Sequence, residues 1–302
     1  MSSILTNTAA LTALASLNKT QSALQMTQNR ISTGQKVSSA ADNAAYWSIA
    51  TTMRADNSSL SAVKDALGLG SSSANVAYTG TNEAITLASQ IKDKLVAALQ
   101  PGTDRSKIQA DISQLQKQLK STADSSAING QNMLSVDSSS ANYNATNSTL
   151  SSYTRTGSTI STGTIDIDVT STKLYDAKDQ SGILDKVGTS GSSVATIDVS
   201  ALTDSAGDTA TMQKMITDVD SAISKMTTSA ANLGAAQTRM TNQSTFIDAL
   251  SSAITSGIGT LVDANMTDES TKLSALQVQQ QLGTQALSIA NQSTQSILSL
   301  FR

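Results

Sequence analysis

This chain of 302 residues contains no cysteine and no histidine, a single proline, Pro101, and only 3% aromatic residues. Without cysteine there are no disulfides and no thiolate ligands. Without histidine the commonest metal ligand and the side chain that titrates near neutrality are both missing. A histidine-bearing zinc site cannot be built, and no nucleophile has a histidine base. No cofactor and no enzymatic activity are expected. The scarcity of bulky aromatics argues against a thick globular core and for thin helical packing. Charge is also short on the basic side: 20 Lys and Arg against 23 Asp and Glu give a net charge of -3. No broad positive field is present to draw nucleic acid or an anionic membrane surface. No unbroken run of 18 apolar residues occurs, so no membrane span is expected. Met1 to Ala15 lacks the basic start and apolar centre of a secretory signal peptide.

What is present is helical periodicity, and the two ends mirror each other. Residues 1–41 carry no acid and residues 273–301 no charged side chain. Near the C-terminus Leu273, Leu276, Gln280, Gly283, Leu287, Ala290, Thr294, Ile297 and Phe301 step by three and four, the spacing of a coiled-coil seam. At the N-terminus Leu17, Leu24 and Ile31 lie seven apart beside Leu11 and Leu14. Each narrow stripe needs a partner, and the two ends are expected to pair with each other and with neighbouring copies.

Between the ends the same step runs from Tyr46 through Ile49, Met53, Leu60, Val63, Leu67, Ala74, Ala77, Ala84, Ala88, Ile91 and Leu95 to Ala98, with Pro101-Gly102 ending it. Gly68, Gly70 and Gly80 make a local break possible there. A shorter helix is expected from about Ser106, with Ser106 and Gln109 spaced as a capping box. Asn129-Gly130 favours a two-residue hairpin turn. Residues 138–208 turn to Ser, Thr, Asn and Gly, and both Thr164–Val169 and Ala195–Val199 alternate as strands do. The step resumes from Met212 to Leu261, then slips phase before Leu273, which predicts a joint over Asn265–Thr271. A matching joint is expected near Gly34, with Trp47 packed against it.

The fold class read from these patterns is mainly α: long antiparallel coiled-coil helices from both chain ends form a hairpin-like rod, with a small β-rich central insertion. The domain boundaries are 1–34 and 268–302 for the paired outer helices, 35–137 and 209–267 for the rod, and 138–208 for the insertion.

Two stretches carry a resemblance. Asn29-Arg30-Ile31-Ser32-Thr33-Gly34, followed by Val37-Ser38-Ser39-Ala40-Ala41-Asp42-Asn43-Ala44-Ala45, and Leu233-Gly234-Ala235-Ala236-Gln237-Thr238-Arg239 closely resemble bacterial flagellin, in family order. The match covers about 135 residues at the front and 90 at the back. The resemblance implies a secreted subunit of the extracellular flagellar filament, exported through the flagellar type III apparatus. The partners it implies are itself and other flagellins, an export chaperone, and the cap and hook-associated proteins. The assembly residues are then Leu11, Leu14, Leu17, Leu24, Ile31, Leu273, Leu276, Leu287, Ile297 and Phe301. The rod signature is Arg30, Gly34, Ala40, Asp42, Asn43, Ala44, Leu233, Gly234, Gln237 and Arg239. An alternative of the same kind is the hook-filament junction protein, which resembles flagellin at both ends.

One stretch departs from the family pattern. Flagellins detected by the animal innate flagellin receptor carry two arginines and a leucine in a short rod-helix motif. Here it reads Gln90-Ile91-Lys92-Asp93-Lys94-Leu95. Gln90 and Lys94 replace an arginine and a leucine, and with Lys92 they imply weak or absent recognition by that receptor.

The ends are also expected to order only on assembly. Fixing the backbone of the first 33 residues costs about 50 kcal/mol. Burying residues such as Ile4, Leu5, Leu11, Leu14, Leu17, Leu24, Met26 and Ile31 returns about 15 to 20 kcal/mol, and hydrogen bonds add about 30 kcal/mol. That near balance leaves neighbouring copies to decide.

Overall fold

The computed structural model describes residues 6–141 and 143–299, with side chains of the last helix as far as Gln292. Ile297 and Phe301 therefore lie outside the described side chains. Six helices dominate: α1 Thr8–Thr33, α2 Ala44–Ala98, α3 Arg105–Ser125, a single turn α4 Val169–Thr172, α5 Ala206–Val262 and α6 Met266–Ser299. The strands are short apart from one hairpin: β1 Ala127–Ile128, β2 Gln131–Asn132, β3 Ser135–Val136, β4 Thr146–Thr156, β5 Thr159–Asp168 and β6 Tyr175–Asp176. The chain divides into two compact units, Met1–Ser58 with Ser251–Arg302, and Ser59–Leu250.

In the first unit α1 and α6 run antiparallel. Asn7 donates from Nδ2 to Ala290 O, Gln280 to Gln21, and Arg30 to Glu269, so partners fall in sequence on one helix as they rise on the other. Asn7 also caps α1, its side chain accepting from Ala10 N. Leu24, Val37, Ala50, Val262 and Leu276 are buried here. The first part of α2 and the end of α5 meet where Asn57 accepts from Ser251 and donates to Thr255.

In the second unit the periodic residues of α2 form the core with those of α5 and α3. Val63, Leu67, Ala74, Ile91 and Leu95 are buried, as are Met212, Val219, Met226, Leu233 and Met240, and Ile112 and Leu119. The methionines serve as adaptable filler between small residues. The break that the glycines made possible does not occur in α2, and Gly70 and Gly80 make room for neighbours instead. A Cβ on Gly70 would lie 2.3 Å from Thr149 Oγ1, and one on Gly80 2.3 Å from Ser126 Oγ and 2.7 Å from Leu134 Cδ1.

α3 starts one residue earlier than expected and is capped by Asp104, whose carboxylate accepts from Lys107 N; the Ser106–Gln109 capping box is not formed. Gln109 instead reaches the central insertion. The Asn129-Gly130 turn joins β1 to β2 with both residues at positive φ, 51° and 77°, as a type I′ turn requires. β4 and β5 form an antiparallel ribbon closed by Gly157-Ser158. Its inner half packs Ile165 and Ile167 inward and leaves Asp166 and Asp168 outside.

The strand expected at Ala195–Val199 is replaced by a 3-10 turn, Val194–Thr196, and extended chain. α3 supplies the bonds that a partner strand would have made. Gln109 Nε2 donates to Ile197 O while its Oε1 accepts from Val199 N, and Gln116 Nε2 donates to Val194 O and Ile197 O.

No unbroken run of 18 apolar residues is present, as the sequence reading states. By length and composition α5 contains a stretch apolar enough to cross a membrane, built from interspersed Ala, Ile, Gly and Leu rather than an unbroken run. Of that stretch only a small share is buried, Ile247 and Val262 among it.

Candidate assembly site

The helix stripes divide the predicted assembly residues into two sets. On α1, Leu24 and Thr27 are buried, with Ala13, Leu17, Thr20, Arg30 and Ile31 half-buried at the same three-four step. On α6, Leu276 is buried and Leu273, Gln280, Gly283, Leu287 and Ala290 are half-buried. These faces form the intramolecular seam, in which Gly283 accommodates Leu17: a Cβ there would lie 3.2 Å from Leu17 Cδ1. Leu11 and Leu14 are not in it. They are 58% and 43% exposed, and with Met26 they face away from the seam on α1, as Val278, Leu282 and Ile289 do on α6. That second stripe on α6 steps by four and seven, a periodicity masked in the sequence by the stronger seam beside it.

The seam ends on an ion pair. Arg30 Nη1 lies 3.2 Å from Glu269 Oε1, with both side chains largely removed from water. Glu269 was not singled out in the sequence, although it is the last acid before the uncharged tail. Immediately beyond, both helices break at one level. Gly34 ends α1 at φ 70°, a conformation that favours glycine, and its carbonyl accepts from Ala264 N. Gln35 and Asp263 form an antiparallel bridge, and Val262 O accepts from Lys36 N and Val37 N. The joint in the C-terminal half occupies Asp263–Asn265 only, since residues 266–271 already belong to α6.

The remaining signature residues build the turn into α2. Asp42 Oδ2 accepts four bonds, from the amides and hydroxyls of Ser38 and Ser39. The Ser39 amide, then that of Ser38, hold its carboxyl below the usual carboxylate range. Asn43 caps α2, its Oδ1 accepting from Ala45 N and Tyr46 N. Ala40 and Ala44 are exposed small residues of this turn. Trp47, expected to pack at the joint, is 38% exposed and lies beside Tyr46 and Ile49, which are 44% and 49% exposed. In the second unit Leu233 is buried, Gly234 and Gln237 are half-buried, Arg239 is exposed, and a Cβ on Gly234 would make ordinary contact with Tyr78.

The receptor-motif positions are engaged differently. Gln90 is exposed. Lys92 pairs with Asp220 at 2.7 Å and Lys94 with Asp111 at 2.6 Å.

Models of the bacterial flagellin N-terminal and C-terminal helical regions match residues 4–140 and 216–301. Over the whole of both chains, Flagellin C of Rhizobium meliloti (strain 1021) is 42% identical. The chain belongs to the bacterial flagellin family. A flagellin of Brucella melitensis biotype 1 is 43% identical and Flagellin A of Rhizobium meliloti 38%, again with both chains covered in full. As a flagellin the chain is a structural subunit of the bacterial flagellar filament, and full-length likeness to flagellins does not favour the hook-filament junction alternative. The family is one of self-assembling structural proteins.

Proposed function

We propose that this flagellin polymerises through the outer faces of α1 and α6, with the seam between them holding each subunit's ends together. One observation carries the reading: Leu11, Leu14, Met26, Val278, Leu282 and Ile289 stay exposed after the helices have paired, leaving apolar surface that a soluble monomer has no reason to keep. Neighbouring copies cover it. Residues 1–34 and 268–302 then form the inner tube, 35–137 and 209–267 the rod, and 138–208 the outward surface. Leu273, Leu276 and Leu287 belong to that seam.

The subunit acts without catalysis or a cofactor. It leaves the cell through the flagellar export apparatus with an export chaperone, and meets the cap and hook-associated proteins at the growing end. Its own copies and other flagellins are its filament partners, with neither nucleic acid nor membrane among them. The lone seam supports the view that α1 and α6 become ordered on polymerisation. Seeded elongation tests this: chains lacking 1–34 or 268–302 are expected not to extend seeds, and normal fibres from either truncation would overturn the proposal.

A further inference from the structure

In a chain without cysteine the methionine thioethers are the groups most open to reversible oxidation. Most of the described ones are shielded. Met133, Met212, Met215, Met226 and Met240 are buried and Met53 is half-buried. Two stand out: Met26 is 51% exposed, and Met266, the first residue of α6, is 46% exposed.

These two occupy different surroundings. Met26 comes two residues after buried Leu24, which places it about 160° around α1 from that seam residue. Over residues 21–33 the other large apolar side chains, Leu24 and Ile31, belong to the seam. Met26 is therefore the one large apolar group that this half of α1 turns outward. Met266 opens α6 beside the joint and, by the same rotation, stands on a different side of that helix from Val278, Leu282 and Ile289.

We propose that Met26 is an oxidation-sensitive contact of assembly: the thioether lets a subunit join the filament, and its sulfoxide blocks entry. The inference rests on the filament reading, in which neighbouring copies cover this face of α1. A peroxide supplies the chemistry. One oxygen atom passes to Sδ, the sulfur loses two electrons, and the peroxide is reduced to water. An apolar, adaptable side chain then ends in a strongly accepting S=O group. In the free subunit water satisfies that oxygen, whereas under a neighbouring copy it gives up its water for an apolar contact.

The test compares full-length subunits before and after dilute hydrogen peroxide, with the sulfoxides located by mass spectrometry. Subunits oxidised at Met26 should need a concentration about tenfold or more higher to extend seeds at the untreated rate. Met26→Leu, close in volume and without sulfur, should extend seeds normally and continue to do so after the same treatment. Met266→Leu should stay as sensitive as the unaltered chain. In finished filaments Met26 should oxidise more slowly than in free subunits. Unimpaired elongation by subunits that carry the Met26 sulfoxide would overturn the proposal. So would equal loss in treated Met26→Leu, or oxidation of Met26 in filaments at the free-subunit rate. Failure of untreated, unaltered subunits to extend seeds would instead defeat the filament reading itself.

Discussion

Arg30 and Glu269 join the two terminal helices through a single 3.2 Å bond, Nη1 to Oε1, while Arg30 Nε and Glu269 Oε2 are buried with no hydrogen-bond partner among the described residues. Removing one member strands the other's charge at the seam. Glu269→Ala should weaken the α1–α6 pair by about 1 to 3 kcal/mol, between the limits for exposed and buried ion pairs. Filament melting by light scattering reads this out, and an unchanged midpoint would show the pair to be incidental.

Asp185 shows the opposite electrostatic condition to Asp42. Its Oδ2 accepts from Asp176 N, but its Oδ1 is buried with no hydrogen-bond partner among the described residues. Burial, aided by the Asp176 carboxylate, pushes its carboxyl above the ordinary range, although nearby amides oppose the shift. A group whose folded pKa is raised supports the fold fully below its unfolded value near 4 and loses that support as pH rises through the folded value. Asp185→Asn should therefore raise the thermal midpoint of the subunit at pH 7 and flatten its decline above pH 4. A lower midpoint at pH 7 would contradict this.

Two glycines of α2 should respond with opposite signs. Nothing lies within 4 Å of a Cβ built on Gly68, so Gly68→Ala should stabilise by about 1 kcal/mol through helix propensity alone. Gly80→Ala drives the same methyl into Ser126 and the buried Leu134, and overpacking of about 1 to 3 kcal/mol should outweigh that gain. Denaturant unfolding of the two variants checks the contrast; stabilisation by both would show that the wall at Gly80 yields.

Purified subunit should activate the animal innate flagellin receptor weakly or not at all. Lys94 stands where the recognised motif has leucine and is drawn to Asp111, and Gln90 offers no cation. Gln90→Arg combined with Lys94→Leu should increase reporter activation. Full-strength activation by the unaltered subunit would refute the reading of this motif.

The helices were legible because narrow stripes repeat without a slip, and the slip before Leu273 located the second joint. Its width was not legible: Met266–Thr271 is as compatible with helix as with loop until Asn265 is seen accepting from Thr267 N ahead of α6. Leu11 and Leu14 sit near the same stripe as Leu17 in sequence, and only the partner helix decides which of them turn inward. The alternation of Ala195–Val199 correctly marked extended chain. It could not reveal that two glutamines of α3, rather than a strand, would satisfy that chain. Asp104 and Ser106 both suit a helix start, and competition between two good caps leaves no trace in composition.

Repeats of small residues have a weakness: a pair of such helices displaced by seven positions meets nearly the same surface. The bridge between Gln35 and Asp263, with Gly34 O and Val262 O bonded across it, occurs once among the described residues and has no equivalent among them seven positions away. It acts as a fiducial mark that sets the height of α1 against α6, because a slip of one repeat would break it.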